Sequence, residues 1–500
     1  MKDFKYLLGY DVGSSSIKAS LLEAGSGKTI GTATSPEKEL EMVSDHPGWA
    51  EQKPEIWWEH VIRATRKLIT DQDIPNKEIG AIGISYQMHG LVAVDKNHEV
   101  LRPSIIWCDS RAAEIGHQAF QDLGPELCLT HFLNSPGNFT ASKLKWVQDN
   151  EPHVYEKIHK IMLPGDYIAM KMTGRICTTV SGLSEGILWD YREQTVAHRL
   201  LEYYNISDEL LPDYGSSFEV TGELTASAAE ELGLKKGTEI AYRAGDQPNN
   251  AFSLNVLNPG EVAATAGTSG VIYGITDQPD YDEKSRVNTF VHVNSTDKQP
   301  RYGVLLCING TGILNSWLKH NMGVGQSLTY DQMNDLANEA PIGTDGLTIL
   351  PFGNGAERIL ENKDIGAQVF GLNFNRHKIH HILRAAQEGI VYALNYGFQI
   401  MEKMDMQLDT VKAGHANMYL SPLFREAFVN TTGSVLELYN TDGAQGAARG
   451  AGIGSGLYKS DKDAFEGLNK IQVIEPDSQK RSRYLDTYQH WVEKLKSELN

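Results

Sequence analysis

Residues 10–18 read Tyr-Asp-Val-Gly-Ser-Ser-Ser-Ile-Lys, an acidic turn rich in glycine and serine between two apolar runs. Residues 5–12 predict a buried strand, and residues 17–23 predict its partner, because short apolar runs joined by such a turn are typical of hairpins. The chain is therefore expected to begin with a β-hairpin that carries an acidic residue at its turn.

The same pattern returns in the second half of the chain. Residues 266–270 read Ala-Gly-Thr-Ser-Gly and lie between predicted strands at 261–266 and 271–275. A unit of strand, turn and strand thus occurs twice, which predicts two similar domains, residues 1–255 and 256–500.

Helix and strand patterns are mixed along the rest of the chain, which indicates an α/β fold. Residues 57–70 have apolar residues at helical spacing, and residues 79–85 form an apolar run typical of a buried strand. Two further helices are predicted at 379–404 and at about 482–498 from their apolar stripes. Residues 222–243 are rich in small residues and are interpreted as a connector that ends in a strand.

Composition limits the classes of function. The chain has 500 residues, 41% of them hydrophobic, and a net charge of -18, which disfavours general binding to nucleic acids or anionic membranes. No apolar stretch resembles a signal peptide or a membrane span, so a cytoplasmic protein without a membrane partner is expected. The cysteines form no paired metal-binding motif and are expected to be free thiols; they are Cys108, Cys128, Cys177 and Cys307.

Both glycine-containing turns are candidate phosphate sites, because successive backbone N–H groups in a turn form a concavity that fits an anion. Asp11 could hold Mg²⁺ through water beside the first turn. Alternatively, each turn is an ordinary hairpin turn, since a short glycine motif alone is weak evidence. The candidate phosphate-binding residues are Gly13, Ser14, Ser15, Gly267 and Thr268.

Asp246 is the candidate general base. It follows an apolar strand at 239–244 and Gly245. A carboxylate there could accept the proton of a hydroxyl as a phosphoryl group arrives, which suits the loose transition state of phosphoryl transfer. The alternative is a helix N-cap, a common role for aspartate.

Two polar motifs follow predicted strands, where the ligand loops of α/β proteins usually lie. The first is Gln-Met-His-Gly at residues 87–90, and the second is Trp-Cys-Asp-Ser-Arg at residues 107–111. The His89 imidazole can both donate to and accept from a sugar hydroxyl. Trp107 could lie against the C–H face of a sugar, with Asp109 bonded to its hydroxyls. The alternatives are a turn histidine and a salt-bridged loop under a core tryptophan.

Two small-residue segments lie near the end of the chain. Gly414, in the stretch Ala-Gly-His-Ala-Asn at 413–417, would let an adenine ring lie against the backbone. Residues 441–448 open a helix of small residues that could serve packing alone.

Taken in order over nearly the whole chain, these motifs resemble those of the FGGY carbohydrate kinases. The first turn, the Gln-Met-His-Gly and Trp-x-Asp-x-Arg motifs, Asp246 and the turn at 267–270 all have counterparts in that family. So do Thr-Ala-Ser-Lys-Leu-Lys-Trp at 140–146 and Leu-Pro-Gly-Asp-Tyr at 163–167. Within the family, Gln-Met-His-Gly is typical of the branch that phosphorylates xylulose.

The resemblance implies an α/β fold with two actin-like, ribonuclease-H-like domains flanking an interdomain cleft, and a homodimer. It implies transfer of a phosphoryl group from ATP, with Mg²⁺, to D-xylulose, which gives D-xylulose 5-phosphate. The implied roles are: Asp246, general base; Asp11, indirect Mg²⁺ ligand; Met88, His89, Gln247, Trp107 and Asp109, sugar binding; Gly13, Ser14, Ser15, Gly267, Thr268 and Gly414, nucleotide binding.

The chain departs from the family pattern in several places. Tyr86 stands where a glycine is usual, and Gln247 where an asparagine is usual, with a loop after it that looks longer. His415 replaces a small residue, and residues 417–420 look like an insertion. Three alternatives stay open: a kinase of another ketose such as ribulose or fuculose, a non-catalytic sugar sensor on the same scaffold, and an actin- or chaperone-like ATPase.

Overall fold

The computed structural model describes residues 4–322 and 328–499, which divide into two compact units. The first unit contains the chain up to residue 255 together with 290–302 and 441–468. The second unit contains residues 256–289, 303–440 and the chain from 469 onward. Two stretches that follow residue 256 in the sequence therefore belong to the first unit.

The elements of both units follow in chain order. The strands are β1 (Tyr6–Val12), β2 (Ile17–Glu23), β3 (Thr29–Ser35), β4 (Glu51–Gln52), β5 (Ile79–Tyr86), β6 (Val92–Val94), β7 (Ser104–Ile105), β8 (Lys160–Met162), β9 (Cys177–Thr179), β10 (Trp189–Asp190), β11 (Thr195–Val196), β12 (Asp213–Gly215), β13 (Gly222–Glu223), β14 (Glu239–Gly245), β15 (Val262–Ala266), β16 (Gly270–Thr276), β17 (Asn288–Val291), β18 (Tyr302–Ile308), β19 (Thr348–Leu350), β20 (Gln368–Phe370), β21 (Thr410–Gly414), β22 (Val435–Tyr439) and β23 (Lys470–Ile474). The helices are α1 (Pro54–Gln72), α2 (Ala113–Leu123), α3 (Pro125–His131), α4 (Thr140–Asn150), α5 (Pro152–Tyr155), α6 (Pro164–Thr173), α7 (Val180–Glu185), α8 (His198–Tyr204), α9 (Ala226–Leu232), α10 (Asp246–Ser253), α11 (Gly312–Asn321), α12 (Tyr330–Asn338), α13 (Ile379–Glu402), α14 (Pro422–Thr432), α15 (Gly443–Gly454), α16 (Asp461–Ala464) and α17 (Ser478–Leu499).

A six-stranded sheet with the order β13-β14-β5-β1-β2-β3 forms the centre of the first unit. The predicted hairpin is confirmed: β1 and β2 are antiparallel. Strand β5 is parallel to both β1 and β14, and Tyr86 is in register with Val12 on one side and with Gly245 on the other. Since the carboxyl ends of parallel strands meet at one edge of a sheet, three predicted motifs begin at the same edge.

A seven-stranded sheet with the order β17-β18-β16-β15-β21-β22-β23 forms the centre of the second unit. Strand β15 pairs antiparallel with β16 and parallel with β21, and β21 is parallel to β22. The carboxyl ends of β15 and β21 therefore meet at one edge. The turn at 267–270 follows β15 there, and Gly414 is the last residue of β21.

The two cores follow from the apolar patterns of the sequence. In the first unit the apolar stripe of α1 lies against the sheet, with Trp57, Val61 and Ala64 fully buried. In the second unit the apolar stripes of α13 and α17 join one core, and Trp491 is fully buried there. Burial of apolar surface is the main favourable term in forming such units.

Helix α15 explains the small-residue run at 441–448. A Cβ added to Gly9 would lie 1.9 Å from the carbonyl oxygen of Ala444, and one added to Gly83 would lie 1.9 Å from that of Ala447. The helix backbone therefore rests directly on β1 and β5, a contact that only glycine and alanine permit. Packing is thus a role of this segment.

Two predicted loops are wrong. The strand predicted at the end of 222–243 is confirmed as β14, but the rest of the segment is not a connector, because it forms β13 and α9, and its small residues pack α9 through buried Ala228 and Ala229. The segment after Asp246 is not a loop but helix α10, with Pro248 in its first turn, where the missing N–H group has no intrahelical acceptor in any case.

Among the residues described, no helix is both long and apolar enough to cross a membrane. All four cysteines are free.

Candidate active site

Asp246 is the first residue of α10, directly after β14; it is half-buried, and Gln247 donates hydrogen bonds to its carboxyl group. Burial is the larger cause, and the nearby charge of Asp11 the smaller one, of a rise in the pKa of Asp246 to about 7. Hydrogen bonds from the backbone and side chain of Gln247 oppose this shift. A carboxylate with a pKa near neutrality is suited to exchange a proton with a hydroxyl group.

Asp11 is the next-to-last residue of β1, and a second carboxylate, that of Asp442, lies close to it. Burial raises the pKa of Asp11, and the charge of Asp442 adds to this effect, while a 3.2 Å hydrogen bond from the Ser85 hydroxyl opposes it. Asp442 caps α15 by accepting from the Gln445 amide at 2.9 Å, and it forms an ion pair with Lys18 at 2.5 Å. The sequence predicted Asp11, but it gave no sign that Asp442 would join it.

These carboxylates fit a divalent cation that is partly held by another ligand. Asp442 is close enough for its charge to raise the pKa of Asp11, and the single positive charge of Lys18 can neutralise only one of the two carboxylates. No set of three or more His, Cys, Asp or Glu within residues 4–322 and 328–499 encloses a metal site by itself. Mg²⁺ commonly takes one or two carboxylates together with waters and substrate phosphates, which such a pair would satisfy.

The turn between β1 and β2 leaves amides available on its outer side. The Gly13 amide closes the turn on the Ser16 carbonyl at 3.1 Å. In the described part of the chain the Ser14 and Ser15 amides donate to no protein group, and the Ser15 residue is exposed. This arrangement agrees with the predicted phosphate concavity.

The loop after β5 fixes His89 in an unusual backbone conformation. His89 has a φ of 61°, and its amide donates to Glu185 Oε1 at 3.2 Å. Its Nδ1 lies 2.9 Å from the Glu185 carbonyl oxygen, and because a carbonyl only accepts, Nδ1 carries a proton; in the neutral form of the ring, Nε2 is then the acceptor. Aromatic contacts from Phe139 and Phe290 hold the ring edge-on and tilted.

Met88 and Glu185 meet at Gly245. A Cβ added to Gly245 would lie 2.6 Å from Met88 Cγ and 2.4 Å from Glu185 Oε2. The structure thus brings together the predicted Met88, His89 and Asp246. Glu185 was missed by the sequence interpretation, because it ends the short helix α7 and belongs to no recognisable motif.

Lys143 is a second residue to which the sequence analysis assigned no role. Its buried Nζ donates to the carbonyl oxygens of His89 at 2.9 Å and Ile106 at 3.0 Å. Burial lowers the pKa of Lys143 to about 8. The lysine therefore connects the loop of His89 with the strand end that precedes Trp107.

Trp107 and Asp109 have different surroundings. Trp107 is half-buried, and its indole N–H donates to the Ser14 hydroxyl at 3.2 Å, so it lies over the first turn. Asp109 is fully buried, with Oδ2 accepting from Arg111 at 2.7 Å and from the Ala50 amide at 2.6 Å. The Asp109 carboxylate therefore has the environment of a salt-bridged loop, which was the alternative to binding sugar hydroxyls.

Arg111 explains the Trp-x-Asp-x-Arg spacing. Its guanidinium lies 3.8 Å from the Trp49 ring centre and 4.8 Å from that of Trp146, and it forms a second ion pair with Glu51. A guanidinium between two aromatic rings and two carboxylates is well stabilised. The motif therefore fixes the loop that carries Trp107.

The departure at Tyr86 has a packing explanation. The Tyr86 ring is buried and covers Gly165, where an added Cβ would lie 2.0 Å from a ring carbon. Burial raises the pKa of Tyr86 well above its ordinary value, and the charge of Glu185 adds to this. Tyr86 is thus a core residue that stands close to Glu185.

In the second unit, the turn at 267–270 is attached to the start of α11. The Gly312 amide donates to the Gly267 carbonyl at 2.9 Å, and the Ile313 amide donates to the Thr268 carbonyl at 3.1 Å. The turn's own amides at 267–269 donate to no group in the described residues, and Thr268 is exposed. The carbonyls therefore face the helix while the amides remain available for an anion.

Gly414 lies at the same edge, at the end of β21. The predicted insertion forms a single 3₁₀ turn, Asn417–Leu420, and the Asn417 side-chain nitrogen would lie 3.6 Å from a Cβ added to Gly267. The structure thus brings Gly267 close to the segment that follows Gly414. His415, Ala416 and Asn417 are exposed beside them.

Comparison with known proteins agrees with this arrangement. The N-terminal domain of the FGGY family of carbohydrate kinases matches residues 6–253, and the C-terminal domain of the same family matches residues 262–453. The chain is 28% identical to a xylulose kinase of Bacillus subtilis (strain 168), over 96% of this chain and 94% of that protein. It is also 28% identical to a xylulose kinase of Escherichia coli (strain K12), over 95% and 96% of the two chains.

A solved structure of ligand-bound xylulose kinase from Lactobacillus acidophilus superposes with a TM-score of 0.88, at 23% identity, over 99% of this chain and 98% of that one. The fold is therefore that of a two-domain α/β sugar kinase. The chain belongs to the FGGY family of carbohydrate kinases and is an ATP-dependent kinase that phosphorylates a sugar.

Proposed function

We propose that the protein phosphorylates D-xylulose, with Asp246 as the general base. The observation that carries the proposal is the half-buried Asp246 carboxyl, whose pKa of about 7 suits proton transfer, next to Gly245, which Met88 of the Gln-Met-His-Gly loop contacts. The ionised Asp246 accepts the proton of the sugar hydroxyl while that oxygen bonds to the γ-phosphorus of ATP and the bond to ADP breaks.

Sugar binding is assigned to the residues around this carboxyl. His89 accepts from a sugar hydroxyl through Nε2, since its Nδ1 is bonded to the Glu185 carbonyl. Met88 provides apolar contact, and Trp107 lies against a C–H face of the sugar. Gln247 acts through Asp246, to which it donates hydrogen bonds. Asp109 is proposed to act through Arg111, by fixing the Trp107 loop.

The cation and nucleotide positions are also part of the proposal. Asp11 and Asp442 would hold Mg²⁺, Asp11 through water, and bound Mg²⁺ would offset the charge that develops on the transferred phosphoryl group. Gly13, Ser14 and Ser15 offer amides and hydroxyls to phosphate oxygens. In the second unit, Gly267 and Thr268 offer amides to the nucleotide phosphates, and the backbone at Gly414 offers a surface to adenine.

The identity of the sugar rests on the relatives, two of which are xylulose kinases at 28% identity over nearly the whole chain. The cytoplasmic location and the homodimer stay predictions of the sequence.

The test is a coupled assay of ADP release with Mg-ATP and single sugars: D-xylulose, D-ribulose, L-ribulose, L-xylulose, L-fuculose and glycerol. We expect the highest kcat/KM for D-xylulose. Preference for another ketose would keep the chemistry of Asp246 and overturn the sugar assignment. ADP release that is independent of every sugar would contradict the proposal.

A further inference from the structure

Glu185 is a buried carboxyl group that the proposed mechanism does not use. It is 1% exposed and ends helix α7. Its Oε1 accepts from the His89 amide at 3.2 Å, and its carbonyl oxygen faces His89 Nδ1 at 2.9 Å. These two contacts fix the His89 loop, and neither needs the second carboxyl oxygen.

The second oxygen, Oε2, is buried and has no hydrogen-bond partner in the described structure. It would lie 2.4 Å from a Cβ on Gly245, the residue before Asp246, and Met88 Cγ would lie 2.6 Å from the same point. Oε2 thus stands beside the residues proposed to bind the sugar. An unsatisfied buried carboxyl oxygen is costly, so its retention needs a partner that binds there.

The charges around Glu185 favour its neutral form. Burial raises the pKa of Glu185 well above its ordinary value, and the charges of Asp246 and Asp166 add to this. The His89 amide and the Lys143 ammonium oppose the shift, but Lys143 donates hydrogen bonds to the carbonyl oxygens of His89 and Ile106. Arg243 pairs with Asp166 at 3.3 Å. A neutral carboxyl group has one O–H donor, and Oε1 already accepts, so the proton belongs on Oε2.

Resting on the proposed kinase function, we propose that Glu185 contacts the sugar directly, with Oε2 donating a hydrogen bond to one sugar oxygen. Glu185 thereby selects substrates that carry an oxygen at that position. A site built to bond a substrate oxygen discriminates strongly against an analogue that lacks it, because the buried group is then left unpaired.

The test combines variants with substrate analogues. Glu185→Gln keeps the shape of the side chain, an acceptor for the His89 amide and a donor in place of Oε2. Glu185→Ala and Glu185→Met remove both. Each protein is assayed with the preferred ketose and with the analogues in which one oxygen, other than the phosphorylated one, is replaced by hydrogen. Thermal unfolding shows which variants fold.

In the wild-type enzyme we expect one analogue to lose about 10- to 100-fold in kcat/KM relative to the parent sugar. Glu185→Ala should lose a similar factor with the parent sugar, should leave the KM for ATP unchanged, and should no longer distinguish that analogue from the parent. Glu185→Gln should stay within about threefold of the wild type. If the alanine variant does not fold, the methionine variant replaces it in the same comparison.

Three results would overturn the assignment. Equal losses for the parent and every analogue in Glu185→Ala or Glu185→Met would show a purely structural residue. A loss in Glu185→Gln as large as in Glu185→Met would remove the donor role. Unchanged kinetics in all variants would remove the contact. Failure of the proposed function is distinct, because it appears in the wild-type enzyme as ADP release without dependence on any sugar.

Discussion

Six strands of the second sheet repeat the order of the first sheet, with β17 added at one edge, but the turns of the two sheets differ in chemistry. In the first unit, β1 pairs antiparallel with β2 and parallel with β5, and β14 follows on the far side of β5. In the second unit β15, β16, β21 and β22 repeat this arrangement. Even the outer strands agree, since β13 and β23 are both antiparallel to their neighbours.

The difference lies in charge. The turn of the first unit has Asp11 at its base, with Asp442 close by and Lys18 paired to it. The turn of the second unit, Gly-Thr-Ser-Gly, has hydroxyl groups and amides and no carboxylate. One backbone scaffold thus carries two kinds of turn: the first combines available amides with two nearby carboxylates, and the second has available amides and hydroxyl groups alone. Four predictions test the difference between these two parts of the molecule.

The largest effect is expected at Asp246. Asp246→Asn should lower kcat by about 10²- to 10⁴-fold, because the general base is lost while the shape of the side chain is kept. Binding of ATP, measured by calorimetry, should change little. Asp71→Asn, at an exposed position on α1, is the matched control and should behave as the wild type. Full activity of Asp246→Asn would exclude Asp246 from the mechanism.

A pH profile should report the same group. Asp246 accepts a proton only when ionised, and its pKa is raised to about 7. The value of kcat/KM for the sugar should therefore be constant above this pH and fall toward about tenfold per pH unit below it. A profile that stays flat down to pH 5 would mean that no group with a raised pKa limits the reaction.

His89 should affect the sugar and not the nucleotide. His89→Ala should raise the KM for the sugar by about tenfold, through loss of one hydrogen bond, before it alters the KM for ATP. The exposed His117 on α2 provides the control substitution to alanine. An unchanged KM for the sugar would make His89 structural.

The smallest effect is expected at the turn at 267–270, which contains no carboxylate. A Cβ at position 312 would lie 2.2 Å from the Gly267 carbonyl oxygen, so Gly312→Ala should displace the turn. The KM for ATP should rise by about threefold or more, because groups that position a substrate tolerate little displacement. Gly25→Ala, with no atom near its Cβ, is the control. A larger change in the KM for the sugar than in that for ATP would contradict the assignment of this turn to the nucleotide.

Local signals in the sequence predicted much of this molecule. The two hairpins and the strands before Gln87, Asp246 and Gly414 were predicted from apolar runs and turn residues, which act over a few positions. Once the strands are parallel, their loops must meet at one edge. Within each unit, the sequence therefore predicted which segments begin at the same edge of the sheet.

Contacts between distant segments were outside the reach of such signals. Glu185 contacts His89, which lies 96 positions away in the sequence, and Lys18 contacts Asp442, which lies 424 positions away. Asp109 accepts from the Ala50 amide, and its partner Arg111 contacts Trp49 and Glu51, which no motif connects to this loop. Residues 222–243 were mistaken for a connector because small residues that pack a helix closely have the same composition as a loop.

Helix α15 has a consequence for how the protein is made. It lies on β1 and β5 through backbone contacts at Gly9 and Gly83, yet it is encoded after most of the second unit. On the ribosome, the sheet of the first unit is therefore complete long before its covering helix has been synthesised. This unit cannot be completed before most of the second unit has been synthesised, so the nascent chain holds an uncovered sheet until residues beyond 454 have emerged.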